Sequence, residues 1–132
     1  MQLSSLVASS LLLAGSVLAQ DTSQVQAVKV SNKNGDLVFT PNNIKAAVDT
    51  YVQFQYYAKN HSVAQSDFAH PCMPIAQTMP GAAGFFSGFM PTTNDAPQRP
   101  VFTIKIKDTK PIWFYCSQAK HCQTGMVGAI NA

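Results

Sequence analysis

The sequence predicts an all-β Greek-key sandwich or barrel of about seven or eight short strands, with one long irregular loop. Apolar and polar residues alternate along several short stretches. Turn-forming residues separate those stretches, and no long helical pattern intervenes.

Taken in order, the candidate strands are Val25–Val30, Leu37–Thr40, Ile44–Val48, Tyr51–Tyr56, His61–Gln65, Val101–Lys107, Ile112–Cys116 and Met126–Asn131. In the fourth, Val52, Phe54 and Tyr56 share one face and Gln53 and Gln55 the other, the period-two pattern of a half-buried strand. The sixth repeats it, with Phe102, Ile104 and Ile106 inward and Thr103, Lys105 and Lys107 outward. Ile112-Trp113-Phe114-Tyr115 does not alternate, so it reads as a strand covered on both faces. Asn34-Gly35-Asp36, Pro41-Asn42-Asn43 and Asp108-Thr109-Lys110-Pro111 supply the turns. Residues 71–100 hold six of the eight prolines and form the irregular excursion, with one helical turn expected near Ile75–Thr78.

Ahead of these strands, residues 1–19 carry no charge, centre on Leu11-Leu12-Leu13 and end in Val17-Leu18-Ala19. That pattern predicts a secretory signal peptide cleaved after Ala19, leaving residues 20–132 as one domain outside the cell, with cell-wall association as an option. No second apolar span follows, so stable membrane insertion is not expected. Nine basic residues face six acidic ones, a formal charge of +3, and they are scattered rather than gathered into a nucleic-acid stripe. Charged residues are 11% of the chain against about a quarter in a typical domain, and glutamate is absent. Catalysis by paired carboxylates is therefore not expected. A monomer that is not an enzyme is the expectation.

The chemistry concentrates in CSQAKHCQTGM, residues 116–126. Cys116, His121 and Met126 are spaced five and five, which on an α-helix would point them in three directions. They converge only in a loop, and Gly125 just before a strand fits one. A given cysteine meets this His and Met spacing by chance about once in a thousand sequences of this composition. The fourth ligand must be distant. His61, at the edge of an apolar strand, is the better candidate than His70, which lies in the irregular region. Two imidazoles, a thiolate and a thioether suit a type 1 (blue) copper ion acting as a one-electron carrier. Zinc seldom recruits methionine. If Cys116 ligates copper, Cys72 and Cys122 remain for a disulfide; the rival pairing, Cys116–Cys122, would consume the thiolate.

The segment 116–126 resembles the metal loop of cupredoxins, and a cysteine directly after the second histidine is similar to the phytocyanin branch. LVFTPNNIKAA (37–47), NHSVAQSDFAHPC (60–72), FFSGFMP (85–91) and PIWFYCSQAKHCQTGMVGAIN (111–131) resemble the small secreted cupredoxins of filamentous fungi, the extracellular serine-rich proteins. The resemblance spans about residues 28–131. It implies a cupredoxin-like Greek-key β-sandwich holding one copper through His61, Cys116, His121 and Met126, with Cys72–Cys122 as the disulfide. Members usually continue into a Ser/Thr-rich tail, whereas this sequence stops at Ala132.

Around that set, Ser62 is expected to bring its backbone N–H or its hydroxyl to the Cys116 sulfur. Asn60-His61-Ser62 is formally a glycosylation sequon, expected to be empty because a glycan beside a ligand would crowd the metal. Phe85, Phe86, Phe89 and Met90 either close the core or line a docking surface for a redox partner protein or a small phenolic molecule. The alternative function is copper buffering or host interaction at the cell wall without electron traffic. A multicopper oxidase is excluded by length and by the absence of His-x-His pairs. An oxygenase with an N-terminal histidine brace is excluded because no histidine precedes His61.

Overall fold

The computed structural model describes residues 24–132; the signal peptide expected over 1–19 lies outside the described residues. Two four-stranded sheets face each other. The first has the order β2-β1-β4-β6, built from β1 (Val25–Val30), β2 (Phe39–Thr40), β4 (Tyr51–Tyr56) and β6 (Val101–Lys105). The second has the order β3-β8-β7-β5, built from β3 (Asn43–Ile44), β5 (Ala64–Ser66), β7 (Ile112–Tyr115) and β8 (Val127–Ile130). β1 runs parallel to β4, and β3 parallel to β8, while the other neighbours are antiparallel. Every link from β2 through to β7 changes sheet.

The alternating residues of β4 fill the space between the sheets. Val52, Phe54 and Tyr56 are fully buried, and Val28 and Val30 of β1 join them. Phe54 and Phe39 both meet the edge of Phe114, with ring centroids 5.1 and 4.9 Å apart. Such edge-to-face contacts add to the burial of the rings. β7 is covered on both faces, as its unbroken apolar run predicts. Phe114 and Cys116 point into the main core. Tyr115 points out into a second cluster with Ala64, Cys122, Cys72 and Val127. The excursion after β5 makes that outer cover, and its single helical turn α1 spans Ile75–Thr78.

Several expected strands are shorter than predicted, and in three of them a side chain or a loop replaces ladder bonds. Beyond Ile44, the Asn131 carboxamide accepts from Ala46 N–H at 2.9 Å and donates to Ala46 C=O at 3.0 Å. His61–Val63 precede β5 without joining it. Their carbonyls take Met90 N–H and Ser87 N–H, each at 2.9 Å. Ile106, past the end of β6, exchanges bonds with Thr50 C=O and Asp49 N–H, each at 2.8 Å. Buried backbone groups need partners, and here irregular segments provide them.

Gly128 of β8 lets the sheets close. A Cβ there would stand 2.4 Å from Phe114 Cζ and 3.0 Å from the Asn42 carbonyl oxygen. Gly128→Ala must therefore displace a core ring, and a loss of about 1–3 kcal/mol is expected from urea unfolding. An unchanged midpoint would show that the ring moves freely.

Candidate metal centre

The loop between β7 and β8 is held closed by its own backbone. Cys116 N–H donates to Met126 C=O at 3.1 Å, so the residues at its two ends are joined. Met126 N–H donates to His121 C=O, also at 3.1 Å. A 3-10 turn at Cys122–Thr124 follows His121, and Gly125 closes it with φ 109°, where a side chain would be strained. The Thr124 hydroxyl bonds the Lys120 and His121 carbonyls at 2.8 and 2.9 Å. The loop thus brings residues spaced five apart to one place without a helix.

Three of the four expected donor residues, His61, Cys116 and His121, come together. Cys116 Sγ lies 3.5 Å from His121 Nδ1 and 3.9 Å from His61 Nδ1. All three donors fall within 4.8 Å of one another, and no carboxylate belongs to the group. Metal–ligand bonds of about 2.0–2.3 Å put donor pairs about 3.3–3.9 Å apart around a shared ion, so both sulfur–nitrogen distances fit. His61, Cys116 and Met126 are buried, whereas His121 is half-buried. His61 Nε2 lies 3.2 Å from the Ala58 carbonyl oxygen. The Lys59 N–H is equally close to Nε2, at 3.2 Å, and donates to it in the other tautomer. A metal at Nδ1 requires the tautomer whose proton sits on Nε2 toward Ala58, which frees the Nδ1 lone pair.

Ser62 reaches the sulfur through its backbone: its N–H donates to Cys116 Sγ at 3.4 Å. Its hydroxyl goes elsewhere, 2.6 Å from Ser117 Oγ and accepting from Ser117 N–H at 2.9 Å. This clasp ties the His61 segment to the start of the metal loop. A second tie runs through Tyr56, whose hydroxyl lies 2.6 Å from Ser87 Oγ; that oxygen accepts Val63 N–H at 2.9 Å. Burial pushes the Tyr56 phenol up to about 12, so it stays protonated.

No family model matches the chain. It is 38% identical over 99 residues to the Probable GPI-anchored cupredoxin-1 of Arthroderma benhamiae, covering 75% of this chain and 47% of that protein. It is 37% identical over 106 residues to the Extracellular serine-rich protein of the same organism, covering 80% and 39% respectively. The chain thus spans less than half the length of these curated relatives. Among solved structures, a purple cupredoxin from Nitrosopumilus maritimus superposes with a TM-score of 0.58 at 18% identity, covering 80% of this chain and 96% of the other. A mutant fern plastocyanin gives 0.55 at 22%, covering 79% and 96%. The chain is a cupredoxin. The names of its relatives and its disulfide place this cupredoxin outside the cell.

Cys72 and Cys122 are that disulfide, with Cα atoms 5.8 Å apart and a sequence separation of 50; Cys116 is the free, buried thiol. His70 stands apart, exposed and 3.0 Å from Asp67. The four aromatic-segment residues divide. Phe85 and Met90 pack on the core, while Phe86 and Phe89 are half exposed and touch edge to face at 5.8 Å. Asn60 is half-buried, with its Oδ1 buried and unpaired. Sequence reasoning missed Ala58, Ser117, Tyr56 and Ser87. Only Ser117, next to Cys116, carried a local signal.

His61 and His121, the two histidines of the site, titrate below the usual 6.5. Burial is the main cause for each; for His61 the bond to Ala58 opposes it, and the neighbouring His121 adds to it. The unfolded chain therefore binds protons near 6.5 that the folded chain refuses. The metal-free protein is expected to hold its stability above that pH and to lose it as pH falls below. Thermal midpoints from pH 8 to 5 check this, and His61→Gln should flatten the slope.

Proposed function

We propose that this cupredoxin binds one type 1 copper ion and carries single electrons outside the cell. His61 Nδ1, Cys116 Sγ and His121 Nδ1 would hold the ion, with the Met126 thioether as a weaker fourth donor. The meeting of two imidazole nitrogens and a thiol sulfur within 4.8 Å, with no carboxylate among them, carries the reading. Bound copper supplies a one-electron couple. The residues set how it behaves. Burial keeps the imidazoles neutral and ready to donate. The Ser62 N–H draws charge from the sulfur and favours the reduced state. The Ser62–Ser117 clasp and the Tyr56–Ser87 bond hold the donors in place, so little has to move when an electron passes.

With four protein donors, no position stays open for a substrate, and the protein is not an enzyme. A redox protein or a small phenolic molecule would approach the half-buried edge of His121. Among the described residues no helix is long and apolar enough to cross a membrane. Cleavage after Ala19 would leave residues 20–132 as the functional domain.

Titration with Cu(II), followed by visible absorption and EPR, tests the site. One equivalent should give an intense thiolate-to-copper band with narrow hyperfine splitting. A measured self-exchange rate then separates a carrier from a copper buffer: fast exchange supports the proposal, and exchange too slow to measure overturns it.

A further inference from the structure

A second site lies away from the donor cluster, at the other ends of β5 and β7. Trp113 precedes Cys116 by three residues, a strand rise of about 10 Å. There an open cleft of about 1030 Å³ lies between the end of β5, the excursion, the end of β6 and the turn leading into β7. A smaller hollow of about 480 Å³ shares Ser66, Asp67, Phe68 and Trp113 with it. Clefts of this size are where ligands lodge.

Three features of the cleft define what it would hold. The first is an aromatic platform. Phe68 is 76% exposed and leans on Trp113, with ring centroids 5.1 Å apart and planes at 53°. The rings do not form a parallel slot for a third flat ring, but they offer outward faces to a ligand's C–H groups. The second is an unpaired buried hydroxyl. Ser66 stands directly across from Trp113 on the neighbouring strand, so both project from the same face. Ser66 is 1% exposed, and its Oγ finds no hydrogen-bond partner. A buried hydroxyl without a partner is costly, and a ligand hydroxyl would relieve it.

Charge is the third. Lys105, Lys107 and Lys110 line the cleft against Asp67 and Asp108, three cations to two anions. The Asp67 carboxylate is already occupied by His70 and the Thr78 hydroxyl. Lys105 reaches Asp49 at 3.8 Å, while Lys107 and Lys110 form no ion pair among the described residues. The two unpaired ammonium groups are free to meet carboxylates.

We propose that this cleft binds an acidic oligosaccharide, its sugar faces on Phe68 and Trp113, a hydroxyl on Ser66 and its carboxylates at Lys107 and Lys110. A flat phenolic acid fits less well, because it brings few hydroxyls and no slot receives its ring. Such binding would hold the protein on a polysaccharide with the His121 edge left open, and it does not depend on the metal.

Trp113 is the single tryptophan of the chain, so its emission reports the site directly. The purified protein is titrated with a hexamer of galacturonic acid and with its fully methyl-esterified counterpart, which keeps the hydroxyls and loses the charge. The acid hexamer should change Trp113 emission saturably and weaken on adding salt. Phe68→Ala should lower its affinity about tenfold, the scale of one lost aromatic contact. The double variant Lys107→Gln/Lys110→Gln should erase the preference for acid over ester. No saturable response, an unchanged affinity in Phe68→Ala, equal binding of acid and ester, or tighter binding of a simple phenolic acid would each overturn the proposal. All these substitutions are at exposed positions, so circular dichroism should show an unchanged fold.

Discussion

Cys116→Ala is expected to abolish the visible copper band and to weaken copper binding by more than about a hundredfold. A hundredfold is the upper end of what losing an outer contact costs, and here a direct donor is lost. The sulfur lies between both imidazoles, so its removal leaves two nitrogens and a thioether with no anionic donor. The intense band needs a thiolate bonded to copper, and no other free cysteine exists among the described residues. The fold should survive, because the side chain removed is small. The Ser62 N–H loses its acceptor, however, and a buried donor left unpaired costs about 1–3 kcal/mol. Parallel measurements decide the matter: visible and EPR titration for the site, and circular dichroism with urea unfolding for the fold. A variant that keeps the band would remove Cys116 from the ligand set.

The double variant Cys72→Ala/Cys122→Ala should lose about 4 kcal/mol of stability, the loop-closure value for a cross-link spanning 50 residues. For a domain whose whole stability is about 5–15 kcal/mol, that is a large share. The bridge is the main covalent hold on the excursion that covers Tyr115 and Ala64. Its removal should raise the denaturant slope as well as lower the midpoint, because the unfolded chain expands. Urea unfolding of the metal-free variants gives both numbers. An unchanged midpoint would mean that packing alone holds the excursion down.

Much of this cupredoxin was legible in its residues because the signals were local. The alternation of Val52, Phe54 and Tyr56 needs no knowledge of the partner strand, only that one face is buried. Ile112–Tyr115 announced a doubly covered strand by lacking alternation, and Phe114 and Tyr115 indeed lie in separate clusters. In the candidate site, the spacing of Cys116, His121 and Met126 with Gly125 required a loop, and a loop is what joins β7 to β8. What stayed hidden depends on residues far apart in sequence. Nothing near Ala46 reveals that the Asn131 carboxamide will replace its strand partner, 85 residues away. His61–Val63 look like a strand until the 85–92 segment takes their backbone bonds. For Ser62, only the fold decides between the two arms: the backbone N–H goes to sulfur and the hydroxyl to Ser117.

The two faces of β7 also protect the chemistry of its sulfur atoms. Thiolates exchange with disulfides by direct attack on a sulfur at contact distance. The bridged pair sits in the outer cluster with Tyr115, and the free thiol sits in the inner core with Phe114, so a layer of sheet separates attacker from target. Once β7 is in register, the reactive sulfur cannot scramble the bridge, although Cys122 is only six positions along the chain from Cys116. The free thiol and the bridge can thus share one short loop without exchanging partners.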